Sequence, residues 1–182
     1  RGGSAQAFAN GIMSVVENYP PCVLHVLMNP IGTHDTQRAI TLLAGENADG
    51  YDRRWQHAHN TLSPEAYLKG ISMMKTASLL QFTLPGVPSI YYGDEAGMQG
   101  MKDPFNRGCF PWNDINQELY KWYKRLGEIR KGCKAFKSGE FRLVCAFGNV
   151  VAYERVCAEN SVLVAVNHAQ TPVEIQVGSQ WD

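Results

Sequence analysis

The sequence lacks an excess of charge of either sign and lacks a long apolar run. Its 182 residues include 17 basic and 17 acidic side chains, so the formal net charge is zero. Nucleic-acid-binding proteins usually carry a basic excess on one face. The longest apolar stretch, residues 22–28, is interrupted by His25 and is far shorter than the roughly 20 residues of a membrane-spanning helix. We therefore expect no nucleic-acid partner and no membrane segment, and the 45% hydrophobic content argues against a disordered chain.

The sequence also lacks the paired spacing of metal-binding cysteines. Its five cysteines are widely spaced, with no Cys-x-x-Cys, so zinc ribbons and dithiol redox motifs have no support. We expect free, mostly buried thiols, which favour a reduced compartment such as the cytoplasm, although nothing else indicates a location. His57 and His59 would share one side of a strand, but no third ligand is evident. We predict neither a metal nor a cofactor.

The chain up to about residue 137 alternates between helices, strands and long loops. Apolar side chains at helical spacing predict helices over residues 5–17, from Ser63 onward and from Asp114 onward, with a shorter helical pattern at residues 36–44. The apolar runs at residues 22–28 and 89–92 are typical of strands covered on both faces. This order predicts an α/β fold with a parallel sheet, in which both long loops follow strands at the carboxyl edge.

The last 45 residues have a different pattern. Short β runs occur at residues 141–146, 150–155, 162–166 and 173–177, with turn signals between them. They predict an antiparallel meander that packs on the preceding part. We therefore divide the chain into residues 1–137 and 138–182.

His34 and Asp35 are neighbours directly after the first predicted strand. They offer an imidazole donor and a carboxylate acceptor at the sheet's carboxyl edge. On spacing alone, an equally good interpretation is that Asp35 caps the helix that follows.

Three stretches resemble the α-amylase superfamily of glycoside hydrolases (family 13), and within it the neopullulanase, cyclomaltodextrinase and maltogenic-amylase branch. Residues 32–38, Gly-Thr-His-Asp-Thr-Gln-Arg, resemble the family's motif after barrel strand seven. Residues 85–98, from Pro-Gly-Val-Pro to Glu-Ala-Gly-Met, resemble its strand-eight signature. Residues 103–112, Asp-Pro-Phe-Asn-Arg-Gly-Cys-Phe-Pro-Trp, resemble the loop that follows. The resemblance extends over nearly the whole chain.

The resemblance implies the C-terminal portion of a (β/α)8 TIM barrel, about strands 7 and 8 with flanking helices, followed by part of an antiparallel β domain. It implies that Asp35 is the third catalytic carboxylate, which holds hydroxyls of the sugar being cleaved, and that His34 donates to the same sugar. Asp103 and Arg107 would bind the neighbouring glucose, with a surface ion pair as the alternative. The partner is then an α-glucan oligosaccharide with α-1,4 or α-1,6 links.

Asp35 alone cannot form a glycosyl-enzyme or protonate a leaving group. The family's nucleophile and acid/base precede strand seven, so we expect this chain to be a fragment that is inactive alone. A complete barrel needs about 250 residues, and an incomplete one leaves an open sheet edge, so self-association into a homo-oligomer is also expected. Two alternatives stay open: a non-catalytic carbohydrate-binding or scaffold protein derived from a barrel, and a transglycosylase of the same family.

Three further residues receive structural interpretations. We expect Arg38 to pair internally rather than contact substrate, and Glu95 to hold loops together. For Trp112, a core position is favoured over a sugar-binding platform.

Overall fold

The computed structural model describes residues 3–178 and Trp181. The chain divides into two compact units, the first formed by residues up to Leu27, 83–87 and 129 onward, and the second by residues 28–82 and 88–128. In chain order the elements are helices α1 (Ala5–Asn18) and α2 (Pro21–Leu24), strand β1 (Met28–Pro30), helices α3 (Ala39–Ala44), α4 (Arg53–Ala58) and α5 (Pro64–Thr83), strand β2 (Val87–Ser89), a 3₁₀ helix (Phe105–Arg107), helices α6 (Gln117–Gly132) and α7 (Ala135–Ser138), and strands β3 (Glu140–Phe147), β4 (Val150–Val156) and β5 (Ser161–Asn167).

Two long helices form the core of the second unit. Helix α5 begins after Ser63, whose Oγ accepts a hydrogen bond from the backbone N–H of Ala66 at 3.2 Å, with Pro64 at the first helical position. Apolar side chains of α5 and α6 pack with the start of α3, as their helical spacing predicts. The buried cluster consists of Ala39, Ile40, Ile71, Met74, Phe82, Leu119, Tyr123 and Leu126.

The predicted strand at residues 22–28 is wrong for most of its length. Pro20 and Pro21 instead start the short helix α2, since proline suits the first turn of a helix. Val26 and Met28 are 68% and 73% exposed, so the apolar run is not covered on both faces. Strand β1 begins only at Met28 and pairs with β2 in a two-stranded sheet. Because β2 ends at Ser89, most of the strand predicted at residues 89–92 lies outside it.

The polar segment after β1 contains two short helices rather than one. Helix α3 begins at Ala39, later than predicted, and α4 has no counterpart among the predicted elements. The carboxylate of Asp52 caps α4 by accepting a hydrogen bond from the backbone N–H of Trp55 at 2.8 Å. The strand that would align His57 and His59 is therefore wrong, because His57 lies in the last turn of α4. Within the described residues, no three His, Cys, Asp or Glu side chains are grouped to hold a metal ion.

An antiparallel meander in the order β3-β4-β5 dominates the first unit. Its central strand β4 is buried along almost its whole length. The buried Arg155 donates hydrogen bonds from Nη1 to the Thr83 carbonyl at 2.6 Å and from Nη2 to the Gly139 carbonyl at 2.9 Å. Burial raises the pKa of Tyr153 to about 12 and lowers that of Arg155 to about 10. Three of the four predicted β runs are thus confirmed as strands.

The fourth predicted strand, at residues 173–177, is wrong. The segment alternates in sequence but has no strand assignment. Alternation produces a strand only where a neighbouring edge supplies hydrogen-bond partners. In the described part of the chain, β4 is the strand that pairs with β5, and nothing extends the meander beyond it.

The five cysteines are less buried than predicted. Cys22 and Cys109 are exposed, while Cys133, Cys145 and Cys157 are partly buried, and all five are free thiols. Among residues 3–178, no helix has the length and apolar character that crossing a bilayer requires.

Candidate functional site

The four side chains predicted to contact substrate lie together in the second unit. His34 and Asp35 occupy the loop after β1, and Asp103 and Arg107 occupy the loop that contains the 3₁₀ helix. Arg107 Nε is 3.0 Å from Asp103 Oδ1, and Arg107 Nη2 is 4.0 Å from Asp35 Oδ1. His34 Nε2 is 3.3 Å from the same Asp35 oxygen. One guanidinium thus lies between two carboxylates, and we call these four residues the loop cluster.

The loop cluster is open to solvent. The side chains of His34 and Asp35 are 65% and 74% exposed, and those of Arg107 and Asp103 are 47% and 50% exposed. Ion pairs this exposed contribute only about 0–1 kcal/mol to stability. The charges are therefore available to a ligand, and they do not hold the loops in place. The Asp103–Arg107 contact also matches the alternative interpretation, a surface ion pair, which stays open.

A buried asparagine joins the two loops. Asn106 is fully buried, and its Nδ2 donates hydrogen bonds to the backbone carbonyls of His34 at 2.8 Å and Thr36 at 2.7 Å. Arg107 Nε also donates to the His34 carbonyl, at 3.3 Å. Sequence reasoning missed Asn106. Its only signal was a position next to Arg107 in the resembling motif.

Asp35 does not cap a helix. Helix α3 begins at Ala39, and its N-cap residue, Arg38, makes no side-chain cap. The loop is instead shaped by short polar contacts, because the backbone N–H of Asp35 donates to Thr33 Oγ1 and that of Thr33 donates to Thr36 Oγ1, each at 3.2 Å. The carboxylate of Asp35 is thus not used in helix capping.

A buried arginine lies at the end of the same loop. Arg38 is fully buried, as expected for an internal partner, and Nη1 donates a hydrogen bond to the Tyr92 carbonyl. Its guanidinium carbon lies 4.4 Å and 4.5 Å from the ring centroids of Tyr91 and Tyr92, in cation–π geometry. Arg38 therefore packs inside the second unit, and the prediction that it pairs internally is confirmed.

Asp94 is the acidic partner of Arg38, at a long distance. Asp94 Oδ1 is 3.9 Å from Arg38 Nη1, and both side chains are buried. Neither carboxylate oxygen has a hydrogen-bond partner among the described residues. Burial raises the pKa of Asp94 to about 7, against the opposing charge of Arg38 and with a smaller contribution from Glu95.

The predictions for Glu95 and Trp112 have different outcomes. Glu95 Oε2 accepts a hydrogen bond from the backbone N–H of Gly93 at 2.9 Å, within its own loop, so its predicted role in holding loops together stays a prediction. Trp112 is 79% exposed, so its predicted core position is wrong. Among the described residues, Phe110 is the aromatic residue whose ring contacts the Trp112 indole. The two ring centroids are 4.7 Å apart.

Known proteins with similar sequences and structures share one enzyme family. The chain is 38% identical over 144 residues to an amylopullulanase of Thermoanaerobacter thermohydrosulfuricus, covering 79% of this chain and 9% of that protein. It is 33% identical over 168 residues to a cyclomaltodextrinase of Thermoanaerobacter pseudethanolicus, covering 91% and 25%. A solved debranching enzyme of Nostoc punctiforme superposes with a TM-score of 0.73 at 28% identity, covering 91% and 29%. The chain belongs to the α-amylase superfamily of glycoside hydrolases.

Membership of the α-amylase superfamily confirms the family that the three motifs predict. The mixture of helices with small sheets is compatible with an α/β fragment of such an enzyme. No family model matches the chain. The chain spans 25% of the length of the cyclomaltodextrinase and 9% of the amylopullulanase, so the two relatives are much longer proteins.

Proposed function

We propose that this chain is the C-terminal part of a retaining α-glucan hydrolase. Residues 1–137 would end the (β/α)8 barrel, and residues 138–182 would begin the β domain that follows. The superposition on a debranching enzyme supports this placement. We assign β1 and β2 to barrel strands seven and eight, which would put the loop cluster at the barrel edge where active sites occur. The observation that supports the proposal most directly is that Arg107 contacts Asp35 of the first loop and Asp103 of the second, which joins the two loops in one charged cluster.

Asp35 and His34 would bind the sugar that is cleaved. An exposed carboxylate accepts hydrogen bonds from sugar hydroxyls, and the adjacent imidazole donates one. Such bonds tighten as the ring gains oxocarbenium character, so they favour the transition state over the bound substrate. The negative charge of Asp35 also stabilises the positive charge that develops near the reacting carbon.

Asp103 and Arg107 would bind the neighbouring glucose. Arg107 contacts both carboxylates of the loop cluster, so its guanidinium is shared between them. A sugar hydroxyl can replace one of these exposed ion pairs at little cost, because each contributes about 0–1 kcal/mol. Asn106 acts through the loops as a positioning residue, since its amide reaches only backbone carbonyls.

Retaining hydrolysis needs a nucleophile and an acid/base, two carboxyl groups about 5–5.5 Å apart. We assign these groups to other segments of a longer protein, and we expect the 182-residue chain alone to release no reducing sugar. By analogy with the named relatives, the substrates would be maltodextrins, cyclodextrins or pullulan, with α-1,4 and α-1,6 links.

The test is the activity of the longer protein that contains this chain. Asp35→Ala should lower kcat on maltodextrin by orders of magnitude, because it removes contacts made in the transition state. The control is Glu128→Gln, which removes an exposed carboxylate paired with Arg125 at 3.7 Å and should leave kcat unchanged. An Asp35→Ala enzyme within tenfold of wild type would remove Asp35 from the mechanism. Release of reducing sugar by the chain alone would refute its expected inactivity.

A further inference from the structure

Two thiols outside the loop cluster converge on one amide oxygen. Cys133 follows α6, Cys157 follows β4, and Asn160 lies in the turn before β5. Cys133 Sγ is 3.7 Å and Cys157 Sγ is 3.3 Å from the Oδ1 atom of Asn160. All three residues belong to the first unit. Two sulfurs that share one acceptor atom are close neighbours in space, although they are far apart in sequence.

Backbone hydrogen bonds hold Asn160, the shared acceptor of the two thiols, in place. Asn160 Oδ1 also accepts a hydrogen bond from the backbone N–H of Ala135 at 2.9 Å. The backbone N–H of Cys157 donates to the Asn160 carbonyl at 3.0 Å, which closes the turn. The two sulfurs lie at most 7.0 Å apart, and a disulfide of about 2 Å requires both side chains to leave Asn160 Oδ1 and approach each other.

Charged side chains of both signs lie near the two thiols, since Glu159 also interacts with Cys157. Arg130 and Arg155 interact electrostatically with Cys133, and Lys134 interacts with Cys157. The thiolate is the nucleophile in thiol–disulfide exchange. Both cysteines are partly buried, so each residue keeps some solvent-exposed surface.

We propose that Cys133 and Cys157 form a reversible intramolecular disulfide on reaction with a low-molecular-weight disulfide such as oxidised glutathione. One thiolate attacks the small disulfide, which forms a mixed disulfide and releases one small thiol. The other thiolate then attacks the protein sulfur of the mixed disulfide and releases the second small thiol. Two electrons pass from the protein to the small disulfide, and the two thiol protons end on the released thiols. The new bond ties the end of α6 to the turn between β4 and β5.

The test is a peptide map of the full chain after incubation with oxidised glutathione. We expect a cross-linked Cys133–Cys157 peptide, a monomer lighter by two hydrogen atoms, and recovery of both thiols with a reducing agent. Cys145→Ser is the matched control, since Cys145 is also partly buried, and it should keep the cross-link. Cys133→Ser should lose the cross-link and keep glutathione on Cys157. Persistence of both residues as thiols or glutathione adducts in the wild-type chain, or their pairing with Cys22 or Cys109, would overturn the proposal.

Discussion

At the scale of single residues, buried polar groups hold the exposed ones in place. His34, Asp35, Asp103 and Arg107 are identified by resemblance to family motifs, and their spacing alone would not have brought them together. Asn106 was not predicted, because an asparagine in a polar loop is normally assumed to be solvated. Its full burial and its bonds to two carbonyls of the other loop emerge only from the three-dimensional arrangement.

The loop before His34 depends on a glycine. A Cβ atom on Gly32 would lie 2.7 Å from Asp94 Oδ2, and Asp94 is buried and cannot move freely. Gly32→Ala should therefore lower the free energy of unfolding by about 1–3 kcal/mol, the usual cost of overpacking. Urea unfolding measures this difference. Gly127→Ala is the control, because a Cβ there meets no atom within 4 Å on α6, and alanine should stabilise the helix. Equal stability of the two variants would contradict the close approach of Gly32 to Asp94.

Asp94 should make stability depend on pH. Its pKa is raised from 3.8 to about 7 by burial, so the folded chain keeps a proton that the unfolded chain has lost. The wild-type chain should therefore lose stability as the pH rises from about 4 to about 7. The side chain of Asp94→Asn is neutral at every pH. The free energy of unfolding of this variant relative to wild type should therefore rise over that range by up to about 4 kcal/mol. Urea unfolding at a series of pH values measures the difference.

Asp49→Asn provides the control for this pH dependence. The side-chain hydrogen bonds of Lys102 and Asn47 hold the pKa of the exposed Asp49 below its ordinary value. The stability that the ionised Asp49 contributes is present above the pKa of Asp49 in the unfolded chain. It is lost only as the pH falls through the lower pKa of Asp49 in the folded chain. The difference between Asp49→Asn and wild type should thus be constant between pH 4 and 7. A constant difference for Asp94→Asn as well would show that Asp94 is not held in a desolvated site.

At the scale of elements, the length and capping of the long helices made them predictable, whereas short apolar runs led to wrong strand predictions. Helices α5 and α6 have many turns of consistent spacing, and Ser63 marks the start of α5. The run at residues 22–28 has no alternation, and such a run does not distinguish a buried strand from other structure. The two prolines before it decided the outcome in favour of α2. Residues 173–177 alternate well, but within residues 3–178 no strand pairs with them.

Strand β4 depends on its buried arginine. Arg155 is fully buried, and its two hydrogen bonds reach the end of α5 and the residue before β3. Arg155→Met keeps most of the side-chain volume and removes both bonds, so it should destabilise the first unit by about 2–5 kcal/mol. Thermal unfolding followed by circular dichroism measures the loss. Arg142→Met is the control, because Arg142 is exposed and forms its ion pair with Glu140, two residues away, and it should change stability little. Similar melting curves for the two variants would contradict this role of Arg155.

At the scale of the whole molecule, the chain is several times shorter than the amylopullulanase and the cyclomaltodextrinase that it resembles. The ligand proposed above, an α-glucan, is uncharged, and the chain has zero net charge. Self-association and the division at residue 137 stay predictions. The barrel placement, the inactivity of the chain alone and the sugar contacts of the loop cluster form one account, in which the chain contributes part of a catalytic site.

The most direct test of this account is calorimetric titration of the chain with maltoheptaose. The wild-type chain and the Glu128→Gln control should bind with the same Kd, and Asp35→Asn should weaken binding at least tenfold, or about 1.4 kcal/mol. Asp35→Asn keeps the size of the side chain and removes its charge, so a change in Kd reports on the loop cluster itself. Equal binding by Asp35→Asn and wild type, or no binding by the wild-type chain at millimolar sugar, would contradict the account.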